Sequence, residues 1–375
     1  VRVSYQRNHQ VHNGGDGDGS PFDLLDNATP EVEEILDDVA SQSRVASDHS
    51  LPLSIRLEAY EDIFESEVGD TTMVRARNVE RQAGLRQLFL KFEGGNPSGT
   101  QKDRIAFSQV ADALRRNFDT ITLATCGNYG VAVAFAASLA GLRCLIFIPE
   151  KYHTRRIKEL TDFDAEIVRV PGDYENTVEV SRREAEREEY YDANPGGANT
   201  TLQLHAYGEI AYEIYDELRD APSCLAVPVS NGTTLAGIHR GFVSLYRRGK
   251  TSRIPRFVAG SSFSKNPIVQ AYLKNLPHCE DLQPERIRES AVNEPLINWH
   301  SADGEQALQA IRQSRGWAGN ATDRNMMLYS RLLREKEGLH VLPASTAGLI
   351  AMIEAHQKEP LPNDRYVVVL TGRKG

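Results

Sequence analysis

Glu93-Gly94-Gly95-Asn96-Pro97-Ser98-Gly99-Thr100-Gln101-Lys102-Asp103-Arg104 is the stretch on which the reading of this chain turns. It comes after an apolar run, Leu88 to Phe92, and precedes an amphipathic one, Asp103 to Arg116, so a strand, a polar loop and a helix are expected in that order. Lys102 then stands where the loop meets the helix, with backbone amides converging nearby. An amine buried at such a junction is more readily deprotonated and becomes nucleophilic toward carbonyls. That is the seat a Schiff-base lysine requires. Read alone, the segment is equally a polar turn carrying a surface lysine.

Two further loops have the same design. Leu123-Ala124-Thr125-Cys126-Gly127-Asn128-Tyr129-Gly130 lies between the apolar run Ile121 to Ala124 and the alanine-rich run Val131 to Ala140. The stretch from Ala226 to Gly237 again joins a strand to a helix, through Ser230-Asn231-Gly232-Thr233-Thr234. Gly232 permits close backbone approach, the hydroxyls and amides donate, and the next helix presents its positive end, so this loop has the makings of a phosphate cup. A simple tight turn is the competing reading. Neither a Walker lysine nor a dinucleotide glycine fingerprint accompanies it, which disfavours a nucleotide site.

Together with Leu370-Thr371-Gly372, Glu67 to Met73 and Pro343 to Gly348, these motifs resemble the pyridoxal-phosphate enzymes of the tryptophan synthase β-like group, fold type II. Within that group they look most like threonine synthase. The resemblance runs from about Glu67 to the C-terminus with its motifs in the family order. It implies an α/β protein of two domains with parallel-rich twisted sheets flanked by helices, and pyridoxal 5'-phosphate in the cleft between them. The implied large domain comprises residues 63–109 and 201–375, the small one 110–200. It makes Lys102 the catalytic lysine that carries the cofactor and then moves protons at the substrate carbons. Ser230, Asn231, Gly232, Thr233 and Thr234 would hold the cofactor phosphate, Asn128 its phenolic oxygen and Thr371 its pyridine nitrogen. A neutral hydroxyl at that nitrogen leaves the ring a weaker electron sink, which suits elimination and replacement. Thr100, Thr125, Cys126, Gly127, Tyr129 and Gln203 are the implied substrate contacts.

The pattern departs from threonine synthase at three places. Thr100 and Gln101 stand where serine and phenylalanine are usual, Tyr129 where threonine or serine is usual, and Gln203 where an arginine grips the substrate phosphate. A neutral amide does not replace a bidentate guanidinium. The expected activity is therefore elimination or replacement at the β or γ carbon of an amino acid. Threonine formation from O-phosphohomoserine comes first, then β-replacement on an activated serine or dehydration of serine or threonine. A catalytically silent binding protein that keeps the fold is the reading from another class.

The rest of the sequence bounds these readings. A chain of 375 residues with 40% hydrophobic and 25% charged content has room for a substantial core. Its net charge of −9 does not suggest an extended surface for nucleic acid or acidic membrane. Cys126, Cys144, Cys224 and Cys279 are widely separated, mostly in apolar runs, and show no metal spacing, so free thiols in a reducing compartment, the cytoplasm, are expected. Residues 1–62 are expected to form an N-terminal extension, with a flexible glycine- and aspartate-rich lead-in and a helix from Pro30 to Gln42. The resemblance also implies a homodimer.

From Ile121 onward short β-branched runs alternate with longer amphipathic ones, the mark of parallel βα units. Strands are expected at Leu88 to Phe92, Ile121 to Thr125, Cys144 to Ile148, Glu166 to Val170, Cys224 to Val229, Phe257 to Gly260 and Tyr366 to Leu370. Ligands of open α/β sheets lie beyond the carboxyl ends of the strands, where these glycine-containing loops would meet.

Overall fold

The computed structural model describes residues 30–374, apart from Cys126 and residues 152–155; the side chains of residues 30–37 and Arg286 also lie outside the description. The glycine- and aspartate-rich lead-in falls before the described residues. The strands are β1 Met73–Arg75, β2 Leu88–Phe92, β3 Thr120–Ala124, β4 Arg143–Pro149, β5 Glu166–Val170, β6 Tyr191–Asp192, β7 Cys224–Pro228, β8 Arg256–Ser262, β9 Trp317–Ala321 and β10 Tyr366–Leu370. The helices are α1 Pro30–Ser47, α2 Leu53–Glu67, α3 Arg77–Ala83, α4 Lys102–Arg115, α5 Asn128–Ala140, α6 Ile157–Asp162 and α7 Tyr174–Arg187, then α8 Thr200–Leu218, α9 Thr233–Arg247, α10 Pro267–Leu273, α11 Gly304–Gln313, α12 Asp323–Glu337 and α13 Ala347–Lys358.

They form two sheets. Six strands run in the order β1-β2-β10-β7-β8-β9, and four in the order β5-β4-β3-β6. Among the described strands only β1 is antiparallel to its neighbour. β3, β7 and β10 are buried along their whole length, as strands covered by helices on both faces must be. Fully buried Val367, Val369, Leu225 and Val227 enter the main core with Ile238 and Phe242 of α9. Helices α8 and α9 approach closely there, since a Cβ on Gly241 would come within 2.5 Å of the Gly208 carbonyl oxygen. Only glycine fits that crossing.

Strand order places the loops. β10 lies between β2 and β7 and parallel to both, with Leu370 opposite Phe92 and Val368 opposite Ala226. The Lys102 loop, Thr371 and the Ser230 loop therefore leave the same edge of three adjacent strands. Backbone bonds stitch the first two together: Gln101 N–H donates to the Thr371 carbonyl at 3.0 Å, and Thr100 forms a bridge with Gly372. Asn128 begins α5, directly after β3 of the other sheet.

Helices α1 and α2 dock onto this body. Tyr60 stacks on Phe107 of α4 with ring centroids 5.9 Å apart, Arg56 donates to the Ala46 and Ala140 carbonyls at 2.9 and 3.2 Å, and Ser43 donates to the Leu139 carbonyl at 3.1 Å. Helix α2 runs through position 62, so the segment before that position continues into the body without a break. The thiols of Cys144, Cys224 and Cys279 are free, and among the described residues no helix is long and apolar enough to cross a membrane.

Candidate active site

Lys102 is the first residue of α4, and the loop that presents it is fixed from below by buried charge. Glu93, Asn96, Asp103 and Arg104 of the quoted segment are all buried. Arg104 donates to both Glu93 oxygens at 2.6 and 3.0 Å and to both Glu213 oxygens at 2.7 and 2.9 Å. Glu93 also accepts from the Thr71 hydroxyl at 2.7 Å and the Asn96 amide at 3.1 Å, and Glu213 accepts from the Asp70 and Thr71 backbone N–H groups. Lys91 pairs with Glu213 at 2.5 Å. One guanidinium thus joins β2, the lysine loop, the 70–71 turn and α8. On the next residue inward, Asp103 accepts from Ser98 N–H at 2.9 Å and closes the loop on itself.

Above that base a cavity opens. Its walls include Lys102, Asn128, Ser230 to Leu235, Ser345 and Thr371, with Pro295, Leu296, Leu342 and Ala344 as apolar cover. Burial lowers the Lys102 ammonium to about 8, against the pull of the Asp303 carboxylate. Its amine lies 5.3 Å from the centre of the Tyr129 ring. A lowered pKa means that more of the amine is neutral at a given pH. In cofactor-free protein, attachment of an aldehyde to Lys102 is therefore expected to accelerate about tenfold per pH unit at lower pH and to level off above about pH 8. Stopped-flow absorbance checks this, and a rate still climbing at pH 10 would contradict it.

The cup is built as a helix start. Gly232 caps α9 with φ +93°, and a Cβ there would meet Ala307 Cβ at 2.8 Å and the Asp303 carbonyl at 2.9 Å. The first N–H groups of a helix lack partners within it and so turn toward an anion. The loop is braced from behind by residues 298–303. Asn298 and the Ala302 N–H donate to Asn231 Oδ1 at 3.2 and 3.3 Å, and Ser301 and Asn266 donate to the Ser230 carbonyl at 3.1 and 2.9 Å. At the cavity's other end, the Thr371 and Ser345 hydroxyls lie 3.1 Å apart, and Ser345 accepts from Gly372 N–H at 3.1 Å. Asn128 Oδ1 accepts from Arg156, whose other nitrogens bind Glu159 at 2.7 and 3.0 Å. With its oxygen taken, the amide has its N–H₂ to offer the cavity.

The structure thus gathers Lys102, Asn128, Ser230, Asn231, Gly232, Thr233, Thr234 and Thr371 around one space. The expected substrate contacts that are described lie in the surrounding elements and are not among the residues lining that space. Tyr129 donates its hydroxyl to the Ala193 carbonyl at 2.7 Å and accepts from the Gln109 amide. Gln203 is fully buried and donates to Gln109 at 3.0 Å and to the Ala193 and Asn194 carbonyls at 3.4 and 3.3 Å. These bonds hold Tyr129 Oη and Gln203 Nε2 in the interior between α4, α5 and α8, while Gln203 Oε1 is buried with no hydrogen-bond partner among the described residues and the Tyr129 ring stays beside the Lys102 amine. Thr100 and Thr125 are buried and accept from the Lys102 and Gly127 N–H groups, so they and Gly127 shape the loops outside the cavity wall. Cys126 lies outside the described residues. Conversely, the sequence assigns no role to Ser345, Asp303 or Arg156. Only Ser345 carries a signal there, lying in the quoted Pro343 to Gly348 motif.

Comparison with known proteins settles what this constellation belongs to. Residues 64–372 match the family model described as pyridoxal-phosphate dependent enzyme. The chain belongs to that family. Curated relatives include threonine synthase of Methanocaldococcus jannaschii, 26% identical over 82% of this chain and 75% of the relative, and threonine synthase of Bacillus sp. (strain ULM1), 28% identical over 81% and 82%. Among solved structures, a threonine deaminase of T.th. superposes with a TM-score of 0.69 at 19% identity, covering 85% of this chain and 97% of that one. Maize serine racemase gives 0.69 at 16% identity, covering 85% and 92%. The fold is accordingly that of fold type II, and the cofactor of this pyridoxal-phosphate enzyme is pyridoxal 5'-phosphate. The residues present fit it: an amine of lowered pKa, an anion cup at a helix start, a cavity-lining amide whose oxygen is engaged by Arg156, and a pair of neutral hydroxyls in the same wall.

Proposed function

We propose that this enzyme abstracts the α-proton of an amino acid and carries out elimination or replacement at the β or γ carbon, with threonine-synthase-like chemistry as the first reading. The observation that carries it is the Lys102 amine set among the Ser230–Thr234 cup, Asn128 and the Thr371–Ser345 hydroxyls. Bound there, pyridoxal phosphate supplies an aldehyde and a conjugated ring that accept the electron pair left when the α-proton departs. Lys102, neutral for a useful fraction of the time near pH 8, takes that proton and returns one further along the chain. The α9 N-terminus and the loop amides would hold the phosphate, and Asn128 would donate to the phenolic oxygen. Thr371 and Ser345 would meet the ring nitrogen as neutral groups, which would not hold it protonated as a carboxylate would, and transamination would be disfavoured. Pro295, Leu296 and Leu342 keep water from the reacting atoms.

Two features bear on the substrate. Arg156 donates to Asn128 of the cavity wall and is paired with Glu159; a phosphate ester that displaced that carboxylate would meet a guanidinium, which favours the first reading. The neutral, buried Gln203 favours the second reading, dehydration of serine or threonine or β-replacement on an activated serine. A product assay by mass spectrometry separates them, with O-phosphohomoserine, O-phosphoserine, O-acetylserine, serine and threonine, each with and without added nucleophile. Threonine from O-phosphohomoserine supports the first reading, and keto acid from serine or threonine, or a substituted alanine, the second. No product from any of the five with cofactor-loaded protein would sink both.

A further inference from the structure

Asp303 is a buried carboxylate behind the cup, and nothing in the chemistry above calls for one. It occupies the N-cap position of α11, yet its side chain makes no cap bond to that helix. Instead Thr233, the first residue of α9, donates its hydroxyl to Asp303 Oδ2, and the Asp303 N–H donates to the Asn231 carbonyl at 2.9 Å. Asp303 Oδ1 is buried with no hydrogen-bond partner among the described residues. A hydroxyl has a single proton to give. That of Thr233 is engaged by the carboxylate, so toward a phosphate the same oxygen offers only a lone pair. An ionised Asp303 therefore places one negative charge a single hydroxyl away from where a second would bind.

The groups around Asp303 define what must yield. Burial raises its pKa, while the Thr233 hydrogen bond and the charges of Lys102 on α4 and Arg182 on α7 lower it, and the rise prevails. Glu305, next on α11, is turned to the Cys279 N–H, and His239 of α9 is turned against the Phe257 ring. A phosphate dianion arriving at this cup would add like charge to a site whose Thr233 hydroxyl is already committed to a carboxylate. The carboxyl that gains a proton loses the repulsion and supplies its orphaned oxygen with a hydrogen in the same step.

We infer that Asp303 takes up a proton from solvent when the cup fills, so that capture of a phosphate-bearing cofactor by this chain is proton-linked. One O–H bond forms at the Asp303 carboxyl and no other bond changes at that residue. The inference rests on the phosphate binding at Ser230 to Thr234, as proposed above. Through Thr233, Asp303 acts as a positioning residue of the cup.

The experiment uses full-length, cofactor-free protein titrated with pyridoxal phosphate and, separately, with pyridoxal, in weakly buffered indicator solution between pH 6.5 and 8.5. Pyridoxal attaches through the same aldehyde and lacks the phosphate, so effects of Asp303 on Lys102 are common to both ligands. The expected result at pH 8 is close to one additional proton taken up per site with pyridoxal phosphate relative to pyridoxal. In Asp303→Asn that extra uptake disappears, and the preference for pyridoxal phosphate over pyridoxal at pH 8 rises about tenfold. Asp303→Ser, which also lacks the charge and is smaller, should behave likewise and serves if the asparagine variant folds poorly. No extra uptake in the wild type overturns the inference. Extra uptake that persists in either variant places the proton on the phosphate and overturns it as well. Equal affinity for the two ligands would instead show that the phosphate does not bind at the cup, which sinks the site assignment.

Discussion

Lys102→Ala is expected to lower turnover by about 10⁴-fold with saturating cofactor, and to leave the protein folded. The amine serves twice, as the covalent attachment point and as the group that moves protons at the substrate, and a positioned acid–base group alone is worth up to about 10⁴-fold. The fold does not need the side chain. Lys102 is held by its backbone, through its own N–H to Thr100 and the neighbouring Gln101 N–H to Thr371, while its ammonium is disfavoured by burial. Steady-state rates and a thermal melt check both halves. Activity within tenfold of wild type would contradict the assigned role, and a collapsed melt would contradict the claim that the loop holds itself.

Arg104→Ala should act in the opposite way, on stability first. Removing the guanidinium strands the Glu93 and Glu213 carboxylates, which share four of its hydrogen bonds and lie largely out of water. Losing one partner of a buried ion pair costs about 3–5 kcal/mol. Arg104→Lys should recover little of this, because a point-like ammonium cannot fork to two carboxylates. Urea unfolding monitored by fluorescence gives the number, and a loss under about 1 kcal/mol would show the network to be dispensable. Since the same guanidinium ties the lysine loop to α8 and the 70–71 turn, cofactor retention should fall along with stability.

How far the fold is legible in the sequence depends on how local each signal is. β2, β5 and β10 lie at the bounds their residue patterns indicate: β10, buried along its whole length, writes its burial into consecutive apolar residues, and β5, an edge strand, shows as a short β-branched run. β9, Trp317-Ala-Gly-Asn-Ala, gives no such sign. It is an edge strand paired only with β8, and its small residues show no alternation; a Cβ on Gly319 would already press on Ala351 at 3.0 Å. Helix α2 is absent from the sequence expectations as well, although Ala59, Tyr60 and Ile63 recur at helical spacing and meet the core. β1 and β6, at three and two residues, are too short for any periodicity to register.

The site divides along the same line. Lys102, Asn128, the cup and Thr371 are legible because each sits at a glycine-marked exit from a strand. Asp303 is not, because an aspartate before a helix reads as a cap, and its real partner, Thr233, is 70 positions away. The hydrogen bonds of Gln203 are hidden from the sequence for a related reason. Its place in the chain suggests a substrate contact, whereas the packing of α8 against α4 turns its amide to Gln109.

Borohydride reduction of the cofactor-loaded enzyme, then proteolysis and peptide mass mapping, tests the arrangement most directly. The expected result is one pyridoxyl adduct per chain, on the peptide containing Lys102. An adduct on another lysine, or none in protein that holds its cofactor, would contradict it.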